Sequence, residues 1–295
     1  MSDQPKILVT GSNGQLGKEL HELAAAYPQF EFTFLSREDL PLQNFELMRV
    51  FFNSIKPSYC INCAAYTAVD KAESEKELAH LVNGEAVGVL AAICKEHNTK
   101  FIHISTDYVF NGEGSYPYTE NFPTDPINVY GASKLEGEKQ AIGFNPDCIV
   151  IRTSWVYSSF GKNFVKTMMR LMSEKDQVKV VSDQVGSPTY AADLAEIILT
   201  IVANCQLSVA NWKPGIYNYS NEGIISWFEF AQAIKEIINS PCDVKPISTA
   251  EYPTPAKRPA YSVLDKTKIQ ETLGIELKDW VESLRTCIRI IQLNS

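Results

Sequence analysis

The chain has 295 residues, of which 45% are hydrophobic and 21% charged, so it is long enough and apolar enough to form one large domain or two modest ones. Its formal net charge of −8 argues against non-specific binding to nucleic acids, which requires a basic surface. The charge does not exclude a small anionic ligand, for which a few local cations are enough.

Seven cysteines are scattered along the chain, several of them in apolar runs. This pattern is typical of buried free thiols in a reducing compartment. Cys60 and Cys63 form a single Cys-x-x-Cys pair within a predicted strand, so we predict no zinc site. The first residues, MSDQPKILVTG, do not resemble a signal peptide, and we expect no stretch long enough to span a membrane. We therefore expect a cytoplasmic protein without a nucleic-acid or membrane partner.

The chain begins with an apolar run at 6–10, which predicts a strand, and a helical pattern follows from 18 to about 27. Three glycines at a spacing of three residues stand between them. Glycines at this point allow a tight turn and let the backbone approach a diphosphate at the positive end of the helix. We therefore predict dinucleotide binding by Gly11, Ser12, Asn13, Gly14, Gln15, Leu16 and Gly17.

The second predicted strand, 30–35, ends in Ser36 and Arg37. An acidic residue at this point would favour NAD, because it accepts hydrogen bonds from the ribose hydroxyls. A hydroxyl and a guanidinium instead suit a ribose 2′-phosphate, which favours NADP(H), with NADH as the alternative. Glu38 and Asp39 follow closely, and a solvated loop charge is the other interpretation of Arg37.

Predicted strands at 59–65, 100–105 and 148–153 continue a regular alternation with helices. This alternation predicts an α/β fold with a Rossmann-type, doubly wound parallel sheet. We place the dinucleotide-binding domain at 1–157 and a smaller, interleaved substrate-binding lobe at 158–295. Later strands near 178–182 and 215–219 are expected to return to the sheet of the first domain.

Tyr130 and Lys134 stand four residues apart in a predicted helix and therefore share one of its faces. A cation near a phenol favours the phenolate and lowers its pKa, which would suit a tyrosine that exchanges protons with a substrate oxygen. By itself the spacing is also that of many surface pairs. Thr106 lies at the carboxyl end of the fourth strand, where parallel sheets bind ligands, although a capping role would explain it equally well.

Taken together, the glycine turn, Thr106 and the Tyr130–Lys134 pair resemble the extended short-chain dehydrogenases/reductases. Several further segments narrow the resemblance to the dTDP-4-dehydrorhamnose reductase family, and they cover nearly the whole chain. They are AAYTAVDKAE at 64–73, STDYVF at 105–110, NVYGASKLEGE at 128–138, RTSWVY at 152–157, NFVKTM at 163–168, DQVGSPT at 183–189 and YPTPAKRPAYSVLD at 252–265.

The resemblance implies reduction of the 4-keto group of a dTDP-sugar by NADPH, with NADH as the alternative, and without a metal in the chemistry. It implies that Tyr130 gives a proton to the C4 oxygen, that Lys134 binds the nicotinamide ribose and that Thr106 stabilises the developing alkoxide. It adds further cofactor contacts at Asp39, Leu40, Ala64, Ala65 and Tyr66. Substrate contacts are expected at Thr106, Asp107, Tyr108, Tyr130, Trp155, Asn163 and Arg258, with ordinary core packing as the other interpretation of Trp155.

Some members of the family are dimers bridged by Mg²⁺ on glutamates. Glu19 matches one such position, but Ala192 stands where another glutamate is expected, which argues against a bridge in this chain. Either a monomer or a homodimer is compatible with the sequence.

Two other functions remain open at this point. A non-catalytic, NADP-binding regulatory subunit can share the fold, although the presence of Thr106, Tyr130 and Lys134 together favours an enzyme. A nucleotide-sugar epimerase or dehydratase is the second alternative. A dehydratase would need a glutamate after Asp107, where this chain has Tyr108, and an epimerase would hold NAD rather than NADP.

Overall fold

A computed structural model describes residues 4–294. The strands, in chain order, are β1 Lys6–Thr10, β2 Glu31–Leu35, β3 Tyr59–Asn62, β4 Lys100–Thr106, β5 Ile149–Thr153, β6 Val156–Tyr157, β7 Gln177–Val181, β8 Val185–Gly186, β9 Thr189–Tyr190, β10 Gly215–Tyr219, β11 Ile225–Ser226 and β12 Asp243–Ile247. The helices are α1 Gln15–Leu23, α2 Phe45–Ile55, α3 Val69–Ala72, α4 Lys76–His80, α5 Ala86–Glu96, α6 Val129–Phe144, α7 Phe164–Glu174, α8 Ala191–Leu207, α9 Trp227–Ile237, α10 Thr267–Leu273 and α11 Trp280–Leu293.

Six strands form one parallel sheet in the order β10-β5-β4-β3-β1-β2. The side chains of β3 and β5 are buried along their whole length, as expected for strands covered on both faces. Helices α1 and α8 cover one face, and α2, α5 and α6 cover the other. The predicted fold class is therefore confirmed. The strand order reverses between β1 and β3, which opens a crevice at the carboxyl ends of the strands.

The second half of the chain contributes one strand to this sheet, because β10 pairs with β5 along the edge. The prediction that 178–182 also returns to the sheet is wrong, since β7 pairs with β12 in a separate two-stranded parallel sheet. The reason is visible in β7, where buried valines alternate with exposed Gln177 and Lys179, so only one face of the strand is covered. This small sheet packs with α7, α9 and α11 around its own apolar core.

Helices α4 and α5 are joined by a π-helical turn at Leu81–Glu85 into one continuous stretch, Lys76–Glu96. By length and composition this stretch could cross a membrane, contrary to the expectation that no stretch is long enough. In the structure 56% of its most apolar window is buried, and α5 packs against α6 and the sheet. A core helix of a globular protein meets the same criterion of length and composition.

Candidate active site

A cavity of about 680 Å³ opens at the carboxyl ends of β1, β3 and β4. This is the place where the reversal of strand order predicts a crevice. Its size lies in the usual range for cofactor and ligand sites. The predicted site residues that line it are Gly11, Asn13, Gly14, Gln15, Leu16, Gly17, Arg37, Leu40, Ala64, Ala65, Tyr66, Thr106, Asp107, Tyr108, Tyr130, Lys134 and Trp155. The predicted residues that do not line it are Ser12, Ser36, Asp39, Asn163 and Arg258.

The glycine turn forms one end of the cavity. Gly11 has a φ of 69°, and a Cβ atom on it would lie 2.6 Å from the backbone nitrogen of Ala64. A Cβ atom on Gly17 would lie 2.5 Å from the carbonyl oxygen of Gly11, so both positions require glycine. Helix α1 begins inside the turn at Gln15, earlier than predicted, which brings its N-terminus and free backbone N–H groups to the cavity.

The end of β2 presents a single cation to the cavity. The hydroxyl oxygen of Ser36 accepts hydrogen bonds from the backbone of Glu38 and Asp39, and the Asp39 carboxylate accepts from the Ser36 N–H at 2.9 Å. These bonds form a compact turn, so Ser36 and Asp39 shape the loop. Arg37 projects from the turn with an exposed guanidinium that makes no ion pair with any of residues 4–294.

Tyr130 and Lys134 lie on the face of α6 that borders the cavity. The side chain of Asn128 caps the helix by accepting from the Gly131 N–H at 2.7 Å. Gly131 allows the helix to approach β4, because a Cβ atom there would lie 2.1 Å from the carbonyl oxygen of Tyr108. This close packing places the first turn of α6 beside the end of the strand that carries Thr106.

Burial raises the pKa of Tyr130 to about 12, although a hydrogen bond with Thr106 acts in the opposite direction. The prediction that Lys134 lowers this pKa is therefore wrong for the chain alone, since the loss of solvation outweighs other effects. Burial likewise lowers the pKa of Lys134 to about 8. At neutral pH Tyr130 is a neutral phenol, which is the form that donates a proton to a ketone oxygen.

Thr106 and Asp107 form a hydrogen-bonded pair on the cavity wall. The Thr106 hydroxyl donates to Oδ1 of Asp107 at 2.9 Å and accepts from the Tyr108 N–H at 3.2 Å, so its predicted capping role is also real. Oδ2 of Asp107 is buried and has no hydrogen-bond partner within residues 4–294. Burial raises the pKa of this carboxyl to about 7, against the lowering effect of the Ser262 and Thr106 hydroxyls.

This carboxyl should make the stability of the protein depend on pH. The pKa rises from 3.8 to about 7 on folding, so the folded state binds the proton more tightly and loses stability as the pH rises between these values. Asp107→Asn removes the titration but keeps an acceptor for Thr106. When the pH is raised from 5 to 8, the free energy of unfolding of the variant, measured in urea, should increase by roughly 2–3 kcal/mol relative to that of the wild type.

The control for this measurement is Asp147→Asn. Asp147 is exposed and its pKa is lowered by Lys95, so it is ionised at both pH values in the folded and the unfolded chain. Its replacement should leave the difference in unfolding free energy between pH 5 and pH 8 unchanged. Equal pH dependence of the Asp107 variant and the wild type would contradict the burial of an ionisable carboxyl at this site.

Two stacked tryptophans, Trp155 and Trp227, form another part of the cavity wall. Trp155 has a φ of 48°, in the left-handed region, and its ring lies 3.6 Å from that of Trp227 at an angle of 12°. Gly186 lies close beneath Trp155, because a Cβ atom there would be 2.7 Å from the indole. The strained backbone and the stack hold the ring in one orientation toward the cavity.

Asn163 and Arg258 make bonds within the protein rather than facing the cavity. The Asn163 amide donates to Gln15 at 2.8 Å, and its oxygen caps α7. Arg258 forms an ion pair with Asp70 at 2.9 Å. Their contacts with a substrate diphosphate therefore stay predictions. The neighbouring residue Lys162 is an exposed cation that does line the cavity, and it was not predicted from the sequence.

Further wall residues were missed because they come from loops and from distant segments of the chain. Two of them could have been found from the sequence, because Ser105 and Thr153 stand at the carboxyl ends of predicted strands, where parallel sheets bind ligands. The unpredicted residues are Leu42, Gln43, Cys63, Thr67, Val69, Leu78, Val82, Ile104, Ser105, Thr153, Val156, Gly161, Lys162, Leu194 and Trp227.

Glu19 points into its own chain. Its carboxylate is buried and accepts a hydrogen bond from the Ser158 hydroxyl at 2.5 Å, and burial raises its pKa. Within residues 4–294 there is no group of three histidine, cysteine or acidic side chains that could hold a metal ion. In this chain the Glu19 carboxylate is therefore engaged with Ser158 in the interior.

Comparison with known proteins agrees with this geometry. The family model described as RmlD substrate binding domain matches residues 5–293. The chain is 42% identical over 287 residues to a dTDP-4-dehydrorhamnose reductase of Aggregatibacter actinomycetemcomitans, covering 95% of this chain and 97% of the relative.

Two solved structures are similar over almost their whole length. A dTDP-4-dehydrorhamnose reductase from Clostridium acetobutylicum superposes with a TM-score of 0.92 at 40% identity, covering 97% of this chain and 99% of the other. The enzyme of the same name from Bacillus anthracis, in complex with NADP, also gives a TM-score of 0.92, at 36% identity and with the same coverage. The chain therefore belongs to the RmlD substrate binding domain family, together with these dTDP-4-dehydrorhamnose reductases.

Proposed function

We propose that this protein is an NADPH-dependent reductase that converts dTDP-4-dehydro-6-deoxy-L-mannose (4-dehydro-L-rhamnose) to dTDP-L-rhamnose, in nucleotide-sugar synthesis for cell-surface polysaccharides. The observation that carries the proposal is the convergence of Thr106, Tyr130 and Lys134 on one cavity that begins at the glycine turn. Near full-length relatives with the name of this activity support it.

The residues at the glycine turn fit a dinucleotide. Any side chain at Gly11 or Gly17 would collide with the backbone that follows β3 or with that of the turn itself, so the glycines let the turn pack closely, and the N-terminus of α1 offers N–H donors to a diphosphate. Arg37 is free to bind a 2′-phosphate, and Ala64 and Ala65 leave room for the ribose. NADPH supplies the hydride for the C4 carbon when it is bound; NADH remains the alternative.

The protein's own groups handle the proton and the charge. Tyr130 is a neutral phenol at neutral pH and donates its proton to the C4 oxygen. Thr106 lies beside it and stabilises the oxygen as negative charge develops. Lys134, whose amine borders the cavity, binds the ribose hydroxyls of the cofactor.

We place the sugar between Tyr130 and the Trp155–Trp227 stack, which excludes water from one face of the ring. Asp107 and Tyr108 supply polar contacts on the opposite wall. Lys162, an exposed cation that lines the cavity, is a candidate to bind the diphosphate, with Asn163 and Arg258 as the contacts predicted from the sequence. In this arrangement residues 1–157 bind the cofactor and supply most of the sugar contacts, and the substrate-binding lobe at 158–295 completes the sugar-nucleotide site with Lys162 and Trp227.

The test is a spectrophotometric assay of NADPH oxidation with the dTDP-4-keto sugar, repeated with NADH. We expect turnover that requires the sugar and is faster with NADPH at low cofactor concentration. Tight NADPH binding without oxidation would overturn the proposal and favour a regulatory subunit of the same fold. Release of a dehydrated or epimerised sugar would favour the other alternative class.

Arg37→Ala should change cofactor selectivity. Loss of a charge-assisted hydrogen bond to a phosphate costs about 1.5–3 kcal/mol, so NADPH affinity should fall about 10- to 100-fold. NADH affinity should change less than threefold, roughly, because NADH has no 2′-phosphate. Fluorescence titration with each cofactor measures both values. Arg49→Ala, an exposed cation on α2 that pairs with Glu96, is the control and should affect neither. Equal losses for both cofactors in Arg37→Ala would show that this residue does not read the 2′-phosphate.

The remaining features support a soluble, cytoplasmic enzyme that acts on small molecules. All seven cysteines are free, which fits a reducing compartment. The acidic net charge disfavours nucleic acid as a partner. Both a monomer and a homodimer fit the proposal, since every catalytic group named above comes from one chain.

A further inference from the structure

A chain of polar side chains runs beneath the cavity, from β1 through β3 and β4 to α6. The Thr10 hydroxyl donates to Oδ1 of Asn62 at 2.6 Å, and Nδ2 of Asn62 lies 3.0 Å from Nδ1 of His103. Nε2 of His103 lies 3.4 Å from Nζ of Lys134. Asn62 and His103 are completely buried, and neither has a role in the function proposed above.

The direction of these hydrogen bonds is fixed at Asn62. The backbone N–H of Ala64 donates to Oδ1 of Asn62 at 3.2 Å, and a backbone N–H can only donate. The amide oxygen must therefore face Ala64 and Thr10, which turns the NH₂ group toward His103. Because an amide NH₂ has no lone pair to offer, Nδ1 of His103 must accept.

His103 then has one possible tautomer. Burial lowers its pKa well below the ordinary value, with a further contribution from the charge of Lys134, so the ring is neutral at pH 7. A neutral imidazole carries one proton, and with Nδ1 accepting, that proton is on Nε2. The Nε2–H bond is directed at the Lys134 amine.

An N–H group is an unusual neighbour for a lysine. An ammonium nitrogen has no lone pair to accept from it, whereas a neutral amine does. Lys134 donates to the backbone carbonyl of Ile104 at 2.7 Å, which holds the amine against β4. Its other close ionisable neighbours are Cys63, directly after β3, and Glu138 on its own helix.

The charge of Glu138 is already engaged. Its carboxylate forms a buried, two-pronged ion pair with Arg152 and is therefore a weak counter-ion for Lys134. The ribose hydroxyls of the cofactor would then provide further fixed acceptors for a charged Lys134 amine. The charge state of the lysine becomes coupled to the occupancy of the cavity.

We propose that Asn62 and His103 are positioning residues for Lys134, which hold its amine against β4 and present an imidazole N–H to it, so that the lysine takes up a proton when the cofactor binds. The proposal rests on the proposed cofactor function of Lys134.

The first test observes the tautomer of His103 directly in the wild-type protein. In protein labelled with ¹⁵N-histidine, long-range ¹H–¹⁵N spectra distinguish the two tautomers, and His103→Phe identifies the resonance among the four histidines. We expect His103 to stay neutral with the proton on Nε2 from about pH 6 to about pH 9. A proton on Nδ1, or a charged ring at neutral pH, would overturn the proposal.

The second test reverses the polarity of the chain. In Asn62→Asp a carboxylate faces Nδ1 of His103, so the ring proton should move to Nδ1 and Nε2 should accept from the Lys134 ammonium. In the wild type, NADPH affinity should decline up to tenfold per pH unit above about 8. In the variant this decline should begin about one pH unit higher. His103→Phe, which removes the N–H without adding a charge, should shift it in the same direction.

His80→Gln is the control, because this histidine pairs with Glu136 outside the network and should leave the pH profile unchanged. Unchanged profiles in Asn62→Asp and in His103→Phe would show that the network is only structural. Neither test uses the sugar, so both are separate from the proposed sugar reduction. Failure of the sugar assay alone would leave the network proposal standing.

Discussion

Replacement of Tyr130 by phenylalanine should lower kcat for the dTDP-4-keto sugar by about 10²–10⁴-fold, the usual contribution of a general acid. The affinity for NADPH should remain within a factor of roughly two, because the phenylalanine ring keeps the shape of the wall and removes only the hydroxyl. The structure supports this separation, since Tyr130 lies at the Thr106 side of the cavity, with the glycine turn at its other end. Steady-state kinetics and fluorescence titration of NADPH measure the two quantities.

Tyr116→Phe provides the matched control. This tyrosine is 81% exposed in the loop before α6, and removal of its hydroxyl should change neither kcat nor NADPH affinity. If Tyr130→Phe retained the turnover of the wild type, another group would have to supply the proton and the proposed mechanism would be wrong. A loss of NADPH affinity as large as the loss of kcat would instead assign Tyr130 to cofactor binding.

Arg152→Met should destabilise the protein by about 3–5 kcal/mol, because it leaves the Glu138 carboxylate buried without its partner. Both side chains are 2% exposed, and two hydrogen bonds of 2.9 and 2.7 Å join them. Arg152 also donates to the carbonyl oxygen of Glu120 and lies over the ring of Phe110. Urea unfolding of the variant and the wild type gives the difference.

The control is Arg170→Met, which removes an ion pair of similar length from the surface. Arg170 and Glu174 are 60% and 51% exposed on α7, and such pairs contribute about 0.3–0.5 kcal/mol. The double variant Glu138→Leu with Arg152→Met should recover much of the loss, because it removes both buried charges. A loss below about 1 kcal/mol in Arg152→Met would mean that the carboxylate finds solvent or another partner.

The ion pair matters for the site because it joins α6 to β5 one turn after Lys134. A moderate shift of α6 would displace Tyr130 and Lys134 together from the end of β4. We therefore expect the Arg152 variant to lose activity at temperatures below its midpoint of unfolding, whereas the Arg170 variant keeps it.

Much of the fold was predictable because parallel strands buried on both faces appear as continuous apolar runs. The runs at 6–10, 59–62 and 149–153 are such strands, and the glycine turn after the first of them marks the start of α1. From the sequence, β7 was assigned to the wrong sheet for a related reason. A short valine-rich segment predicts a strand but does not say which strand it joins, and its exposed Gln177 and Lys179 indicate one covered face.

The site was predictable where function requires residues close together in the chain. Tyr130 and Lys134 share a helix face through their spacing, and Thr106 was found through its position at a strand end. Asn62 and His103, 41 residues apart, and the Trp155–Trp227 stack were missed because only the folded chain brings them together. The sign of the pKa shift at Tyr130 was also missed, because it depends on burial.

By itself, therefore, the sequence of this protein determines the strand and helix alternation, the glycine turn and the spacing of Tyr130 and Lys134, since these follow from local periodicity and from contacts within one helix. The tertiary structure alone decides how those groups are protonated and what surrounds them. Burial raises the pKa of Tyr130 to about 12 and that of the Asp107 carboxyl to about 7, and packing places Nε2 of His103 3.4 Å from the Lys134 amine. These properties depend on desolvation and on the direction of long-range hydrogen bonds, which arise only when distant segments pack together.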